Sequence, residues 1–252
     1  MSFTTLGVEH NADGTALITI RRPEKLNAMN RAFFRELPQL MQELDEDPQT
    51  KVAVITGEGR AFSAGGDIAD FDALDGIDAC RRQVRSALDA FLAVERAETV
   101  AIAAVNGLAY GGGAELTLCC DIALASPQAK FAFKEITLGL MPGYGLVRAP
   151  EVIGRAQTHW LVLTGETIDA HRAERIGLVQ HVSGDVVQDA LNLAARIAQH
   201  PPTALKAAKR FINRNAPSAL VESIEATALL MASPEQQERS RAFVSGAPAR
   251  TR

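Results

Sequence analysis

Cysteine and aromatic residues are scarce in this chain of 252 residues, which has three cysteines, one tryptophan, two tyrosines and an aromatic share of 5%. The thiols at Cys80, Cys119 and Cys120 cannot all pair within one chain, and no CxxC pair or His-rich partner accompanies them. That excludes a disulfide-stapled scaffold and a zinc site built on cysteines, and it points to a reducing compartment. A basic excess is also missing. Lys plus Arg number 26 against 30 Asp plus Glu, a formal net charge of −4, so no general positive field is available for nucleic acid. The longest uncharged stretch, Thr99–Ala114, is interrupted by Asn106 and four glycines and is too short to cross a bilayer. The opening residues, with Glu9, His10, Asn11 and Asp13, do not read as a signal peptide. The expectation is a soluble cytoplasmic protein with no nucleic-acid or membrane partner.

What the chain does have is apolar content, 47% hydrophobic against 22% charged, enough for a substantial core. β-branched runs at Ala16–Ile20, Val52–Thr56, Val100–Val105 and Ile122–Ala125, with a weaker one at Phe131–Phe133, alternate with helical patterns and predict an α/β core. Phe33, Leu37, Leu40, Met41 and Leu44 recur at spacings of three and four, marking one face of a helix that Pro38 should kink. Further helical patterns fall at Ala156–Leu163, Ala190–Ala198, Ala204–Asn213 and Leu220–Met231, with Pro201-Pro202 as a break. This divides the chain into a core over residues 1–197 and a helical region over residues 198–252.

The motifs of dinucleotide, P-loop and zinc-protease sites are absent. Ala61-Phe62-Ser63-Ala64-Gly65 approaches a nucleophile elbow but has alanine where the first glycine belongs, which leaves a serine hydrolase at Ser63 as one alternative. More informative is a design that occurs twice, a buried strand running into a small-residue turn that can open a helix. Val52–Thr56 leads to Ala64-Gly65-Gly66-Asp67, and Val100–Val105 leads to Gly111-Gly112-Gly113-Ala114-Glu115. Such turns can aim peptide N–H groups at a small ligand, and two of them can make a hole for a carbonyl oxygen that becomes negative during reaction. Gly111–Gly113 can equally serve only to let a helix pack close to a strand. Glu115 and Glu135 stand in apolar surroundings, where a carboxylate needs a task or a partner. Dipole complementation for Glu115 and an ion pair of Glu135 with Lys130 or Lys134 are the plain alternatives. As a pair near one water, the two could divide the work of base and acid. Lys206, Lys209 and Arg210 read as an exposed charged face, and His159, His171 and His181 have neither metal nor triad spacing.

At these residues the sequence resembles the enoyl-CoA hydratase/isomerase, or crotonase, family. The resemblance runs through Arg22–Met29, Phe62–Asp67, Ala104–Gly107, Gly111–Asp121, Pro142-Gly143, Leu163–Ala170 and Gly177-Leu178-Val179, and ends near Phe243. It implies a crotonase-like spiral of repeated ββα units with a C-terminal helical trimerisation region, and commonly a homotrimer or a hexamer built as a dimer of trimers. It also implies an acyl-CoA thioester substrate and no cofactor other than the CoA carried by that substrate. By position, Gly66 and Gly112 match the oxyanion-hole residues, and Glu115 and Glu135 match the catalytic glutamate pair of the hydratases. Lys25, Leu26 and Ala28 match the segment beside the adenine, and Ala64 lies beside the pantetheine arm. Asp67, which also reads as a helix N-cap, and Ile68 follow as substrate contacts. The run Pro142-Gly143-Tyr144-Gly145-Leu146-Val147-Arg148 is bulkier than the family's usual Gly-rich one, which makes Tyr144 a candidate for lining the acyl pocket as well as for plain core packing. The implied activity is hydration of a 2-enoyl-CoA. The alternatives are isomerisation of a 3-enoyl-CoA with Glu135 as single base, and a non-catalytic acyl-CoA binder.

Overall fold

The computed structural model describes residues 3–72, 74–213, 224–225 and 227–245. Its larger sheet has the order β1-β2-β3-β5-β7-β10, formed by β1 (Leu6–His10), β2 (Thr15–Ile20), β3 (Val52–Gly57), β5 (Val100–Val105), β7 (Ile122–Ala125) and β10 (His181–Val182). Only the β1–β2 pair is antiparallel. The smaller sheet, β4 (Ala61–Ser63), β6 (Leu108–Tyr110), β8 (Lys130–Ala132) and β9 (Ile168–Asp169), pairs in that order, parallel up to the last strand. Each of β3, β5 and β7 therefore continues into a short strand of the second sheet and then into helix. Stacking these units makes the α/β spiral that the resemblance implies.

Strands β3 and β5 are buried on both faces, which is why they read as continuous apolar runs. Period-two alternation splits their side chains between two cores. Val52, Val54, Val100 and Ile102 pack beneath α8 (Val186–Ala198), whereas Ala53, Ile55, Ala101 and Ala103 face the cluster that includes α1 (Arg31–Glu46) and α3 (Gly76–Arg96). Helix α1 is capped by Asn30, whose side chain accepts the Phe33 N–H at 2.9 Å, and it runs on through Pro38 as one element. Helix α3, the longest, is missing from the pattern read off the sequence.

The remaining helices are α2 (Ile68–Asp72), α4 (Gly112–Cys119), α5 (Gly145–Val152), α6 (Arg155–Thr164), α7 (Ala170–Arg175), α9 (Pro202–Ile212) and α10 (Pro234–Ser245). Of the helix expected over Leu220–Met231, residues 224–225 and 227–231 are helical and the others lie outside the described residues. The exposed charged face expected at Lys206–Arg210 needs correction at one position. Lys209 is buried, with its ammonium 2.8 Å from Asp121 Oδ2 and donating to the carbonyls of Val94 and Thr99 at 3.0 and 2.8 Å. A buried ammonium requires such a complete set of partners, and this one pins α9 to the end of α3 and the start of β5. Lys206 does lie at the surface, paired with Glu98 at 2.6 Å. The three cysteines are free thiols, and among the described residues no helix is long and apolar enough to cross a membrane.

Candidate active site

The two glycine turns meet. The first is stitched to the strip before α1 by three main-chain bonds: Ala64 N–H to Leu26 O at 2.9 Å, Met29 N–H to Gly65 O at 2.7 Å and Asp67 N–H to Met29 O at 2.9 Å. Leu26 and Asn27 both have positive φ, a conformation costly for Leu and tolerable for Asn. Asn27 secures it by donating to the carbonyls of Glu58 and Ala61 and accepting the Arg22 N–H. Asn106 joins the second turn to the first in the same manner, through both main-chain groups of Gly57 and the carbonyl of Gly59.

Where the turns touch, only glycine fits. Gly65 has φ +97°, and a Cβ there would lie 2.7 Å from Tyr110 O and 3.1 Å from Gly112 N. A Cβ on Gly112 would lie 3.6 Å from Gly66 N, so the two peptide nitrogens are near neighbours. No described residue accepts a hydrogen bond from either N–H. Gly112 also opens α4, which adds the positive end of the helix dipole. Close packing also bears on the triple glycine, since a Cβ on Gly113 would lie 2.2 Å from Ser63 O and one on Gly112 2.6 Å from Met29 Cε.

Both glutamates and both of these glycines line one cavity of about 520 Å³. Glu115, in the first turn of α4, is buried, and its Oε1 accepts the N–H groups of Tyr144 and Gly145 at 2.9 and 2.8 Å. Burial raises its pKa from 4.5 to about 7, against the opposing pull of those two N–H groups. Glu135 begins the 3-10 helix Glu135–Leu138, and its buried Oε2 has no hydrogen-bond partner among the described residues. Burial first, and the Glu115 charge second, push its pKa well above the carboxylate range. The ion pair weighed as the plain alternative for Glu135 does not form: Lys134 donates to Gly165 O at 2.6 Å and stands over the Tyr110 ring, and Lys130 is exposed. The pair therefore combines a carboxylate held by two peptide donors with a carboxyl whose Oε2 has no partner among the described residues and whose anion is opposed by burial and by the Glu115 charge.

This arrangement has a measurable signature in stability. The folded chain holds the Glu115 proton more tightly than the unfolded chain does, so the contribution is complete below pH 4.5 and is lost as the pH rises through about 7. Unfolding free energy measured across that window is expected to decline, and Glu115→Gln is expected to flatten the decline.

Of the other residues marked from the sequence, Leu26, Ala64, Ile68 and Tyr144 line the cavity, whereas Lys25, Ala28 and Asp67 are not among its lining residues. Asp67 pairs with Arg22 at 2.9 Å and accepts the Ala69 N–H at 3.3 Å, the N-cap position read from the sequence. Arg22 also donates to Ala28 O, closing the loop from outside. Tyr144 lines the cavity and also packs in the core, its ring against Phe91 and its hydroxyl donating to Glu95 at 2.5 Å. Glu95 and Arg148 form a buried ion pair behind it that the sequence reading missed. The separation of 53 residues hid the partnership, although a lone Glu at the end of an apolar helix face was a usable signal.

Ser63 is no nucleophile. Its fully buried hydroxyl donates to Asn27 O at 2.8 Å and accepts the Gly65 N–H at 3.2 Å, which shapes the first turn. Ser63→Ala is expected to keep most of the turnover while lowering the unfolding free energy by about 1–3 kcal/mol, read by chemical denaturation. The histidines at 171 and 181 flank Glu174 on the surface, and no cluster of metal-binding side chains occurs among the described residues.

Two mostly parallel sheets, two neighbouring peptide amides without acceptors among the described residues and two carboxyls of raised pKa over one cavity are an arrangement that can stabilise a carbonyl-derived anion beside acid–base groups. The chain belongs to the enoyl-CoA hydratase/isomerase family, whose model matches residues 10–247. A probable enoyl-CoA hydratase of Rhizobium meliloti is 38% identical over 97% of this chain and 96% of its own length. A 2,3-dehydroadipyl-CoA hydratase of Escherichia coli is 36% identical over 90% of this chain and 91% of its own. The crystal structure of an enoyl-CoA hydratase/isomerase from Mycobacterium paratuberculosis superimposes with a TM-score of 0.89 at 31% identity, over 94% of this chain and 98% of the other.

Proposed function

We propose that this protein is an enoyl-CoA hydratase, adding water reversibly across the 2,3 double bond of a 2-enoyl-CoA to give a 3-hydroxyacyl-CoA. The observation that carries the reading is the contrast between the two acids. Glu115 is oriented by two peptide N–H groups, and Glu135 has a buried, unpartnered oxygen over the same cavity. The Gly66 and Gly112 amides take the thioester oxygen and stabilise the enolate as C3 is attacked. Glu115, whose donors favour its anion, removes a proton from water as the water oxygen bonds to C3. Glu135 delivers its proton to C2, and return of a proton to Glu135 with loss of one from Glu115 resets the pair. Apparent pKa values of the rate belong to the pair together.

The CoA half runs past Leu26 and Ala64, with the Lys25–Ala28 strip, Asp67 and Ile68 around it. Hydration changes no oxidation state overall, so the reaction calls for no cofactor beyond the CoA. A homotrimer or hexamer in the cytoplasm completes the reading, supported by the free thiols and by exposed apolar side chains at Trp160, Leu163, Ile212, Leu229, Phe243 and Val244. Loss of the conjugated absorbance of crotonyl-CoA tests the activity. Absence of turnover, or turnover confined to 3-enoyl thioesters and indifferent to Glu115→Gln, would replace hydration by the isomerase alternative or by simple binding.

A further inference from the structure

Glu115 depends on two peptide N–H groups, and whatever holds those groups in place decides how well it works as a base. Both belong to the start of α5, where Tyr144 is the N-cap and Gly145 the first helical residue. Gly145 also seats this end against the acid, since a Cβ there would lie 3.5 Å from Glu115 Cγ and 2.9 Å from the Phe133 ring. An eight-residue helix that contains Pro150 has little hold of its own on that orientation.

The hold comes from α3. That helix forms one wall of the cavity through Val84, Leu88 and Phe91, and near its end Glu95 turns inward, 6% exposed and not itself a lining residue. Glu95 Oε2 accepts the Tyr144 hydroxyl at 2.5 Å and Arg148 Nε at 2.8 Å, and Oε1 accepts Arg148 Nη2. Tyr144 and Arg148 are four residues apart, so one carboxylate grips the same face of α5 at its cap and one turn further on. Arg148 Nη1 is engaged with Glu151 at 2.6 Å. The main chain around Glu95 is fixed in turn by α9, whose neighbour Asn213 donates to Glu95 O at 2.9 Å and whose Lys209 donates to Val94 O at 3.0 Å.

Tyr144 therefore has a bond at each end, its hydroxyl donating to Glu95 and its peptide N–H to Glu115. A single residue links the acid outside the cavity to the acid inside it. The titratable groups about Glu95 are Tyr144 and Arg148 from α5 and Cys119 from α4, which also feels Lys209. Burial first, with these neighbours second, keeps the phenol protonated, so its hydroxyl stays a donor. The titratable group that faces Glu115 is Glu135.

We propose that Glu95 is a positioning residue for hydration: by gripping Tyr144 and Arg148 it fixes the start of α5, and with it the two N–H groups that hold Glu115 as a base. The proposal rests on the role assigned to Glu115 and names the residue that keeps it oriented.

Tyr144→Phe removes the hydroxyl and leaves the ring, the peptide N–H and the Glu95–Arg148 pair in place, so the variant should fold. With the start of α5 less firmly held, kcat for crotonyl-CoA is expected to fall about tenfold while KM changes little. The acid limb of the kcat profile should move to higher pH, because weaker N–H bonds favour the Glu115 anion less. Glu95→Gln should act in the same direction, and adding Tyr144→Phe to it should cost little more, since both work through one residue. A buried pair that merely joins α3 to α5 gives another result. Unfolding free energy then falls, while kcat per folded molecule and the acid limb keep their parent values, and that outcome in Tyr144→Phe overturns the proposal. If Glu95→Gln does not fold, Tyr144→Phe decides. A titration of the Glu115 carboxyl by NMR, in protein labelled with 13C at the glutamate carboxyls and assigned through Glu115→Gln, needs no turnover. Its midpoint is expected to rise by about half a pH unit in Tyr144→Phe. Failure to hydrate crotonyl-CoA would overturn the assigned reaction and leave this midpoint measurable, whereas an unmoved midpoint overturns the positioning role.

Discussion

Glu135→Gln is expected to lower kcat for crotonyl-CoA hydration by about three orders of magnitude, within the range set by loss of a general acid. KM should change little. On the proposed reading the Gly66 and Gly112 amides hold the thioester, and Glu135 Oε2 has no hydrogen-bond partner among the described residues. The same absence of partners predicts that the variant is at least as stable as the parent. A buried carboxyl with an unpartnered oxygen is a liability that function retains, and a neutral amide of the same shape removes the cost of ionising it. Initial rates at saturating substrate together with denaturant unfolding check both halves. Turnover near that of the parent would remove Glu135 from the mechanism, and a large rise in KM would convert it into a binding residue.

Gly65→Ala is the second large effect. The new Cβ would meet the carbonyl oxygen of Tyr110 at 2.7 Å and the nitrogen of Gly112 at 3.1 Å, at a residue whose φ of +97° already disfavours any side chain. Neither neighbour is a flexible side-chain tip. The two turns must part, and the amides they carry no longer address one oxygen. A fall in kcat of about 10²- to 10³-fold is expected, the consequence of losing a donor from such a hole. A stopped or spectrophotometric assay on the folded variant measures it, with circular dichroism confirming that the chain still folds. Full activity in a folded Gly65→Ala protein would show that convergence of the turns is not needed.

The parts of this fold legible in the sequence were those whose environment is uniform along an element. Strands β3 and β5, covered on both faces, appear as unbroken apolar runs, and α1 shows one clean face at Phe33, Leu37, Leu40 and Leu44. The short strands β4 and β6 did not appear, because three residues beside glycine-rich turns carry no period. Helix α3 was readable in principle from Cys80, Val84, Leu88 and Phe91, but its exposed arginines and aspartates outweigh that stripe. At the site, the doubled turn and the two apolar-set glutamates were visible, since each is a local departure from ordinary composition. The partners were not. That Glu115 rests on the amides of Tyr144 and Gly145, or that Lys209 lies buried against Asp121, depends on contacts across 29 or more residues that no local pattern records.

The cavity draws Ile224, Thr227, Met231 and Phe243 from a stretch that follows every other lining residue in the order of synthesis. A ribosome releases the amides, both glutamates and the α3 wall first, and only afterwards the segment that closes the far side. The two turns and both glutamates therefore exist for a time beside a cavity that is open on one side. A nascent chain halted before this segment has those groups and most of the lining but lacks the wall that Ile224, Thr227 and Met231 supply.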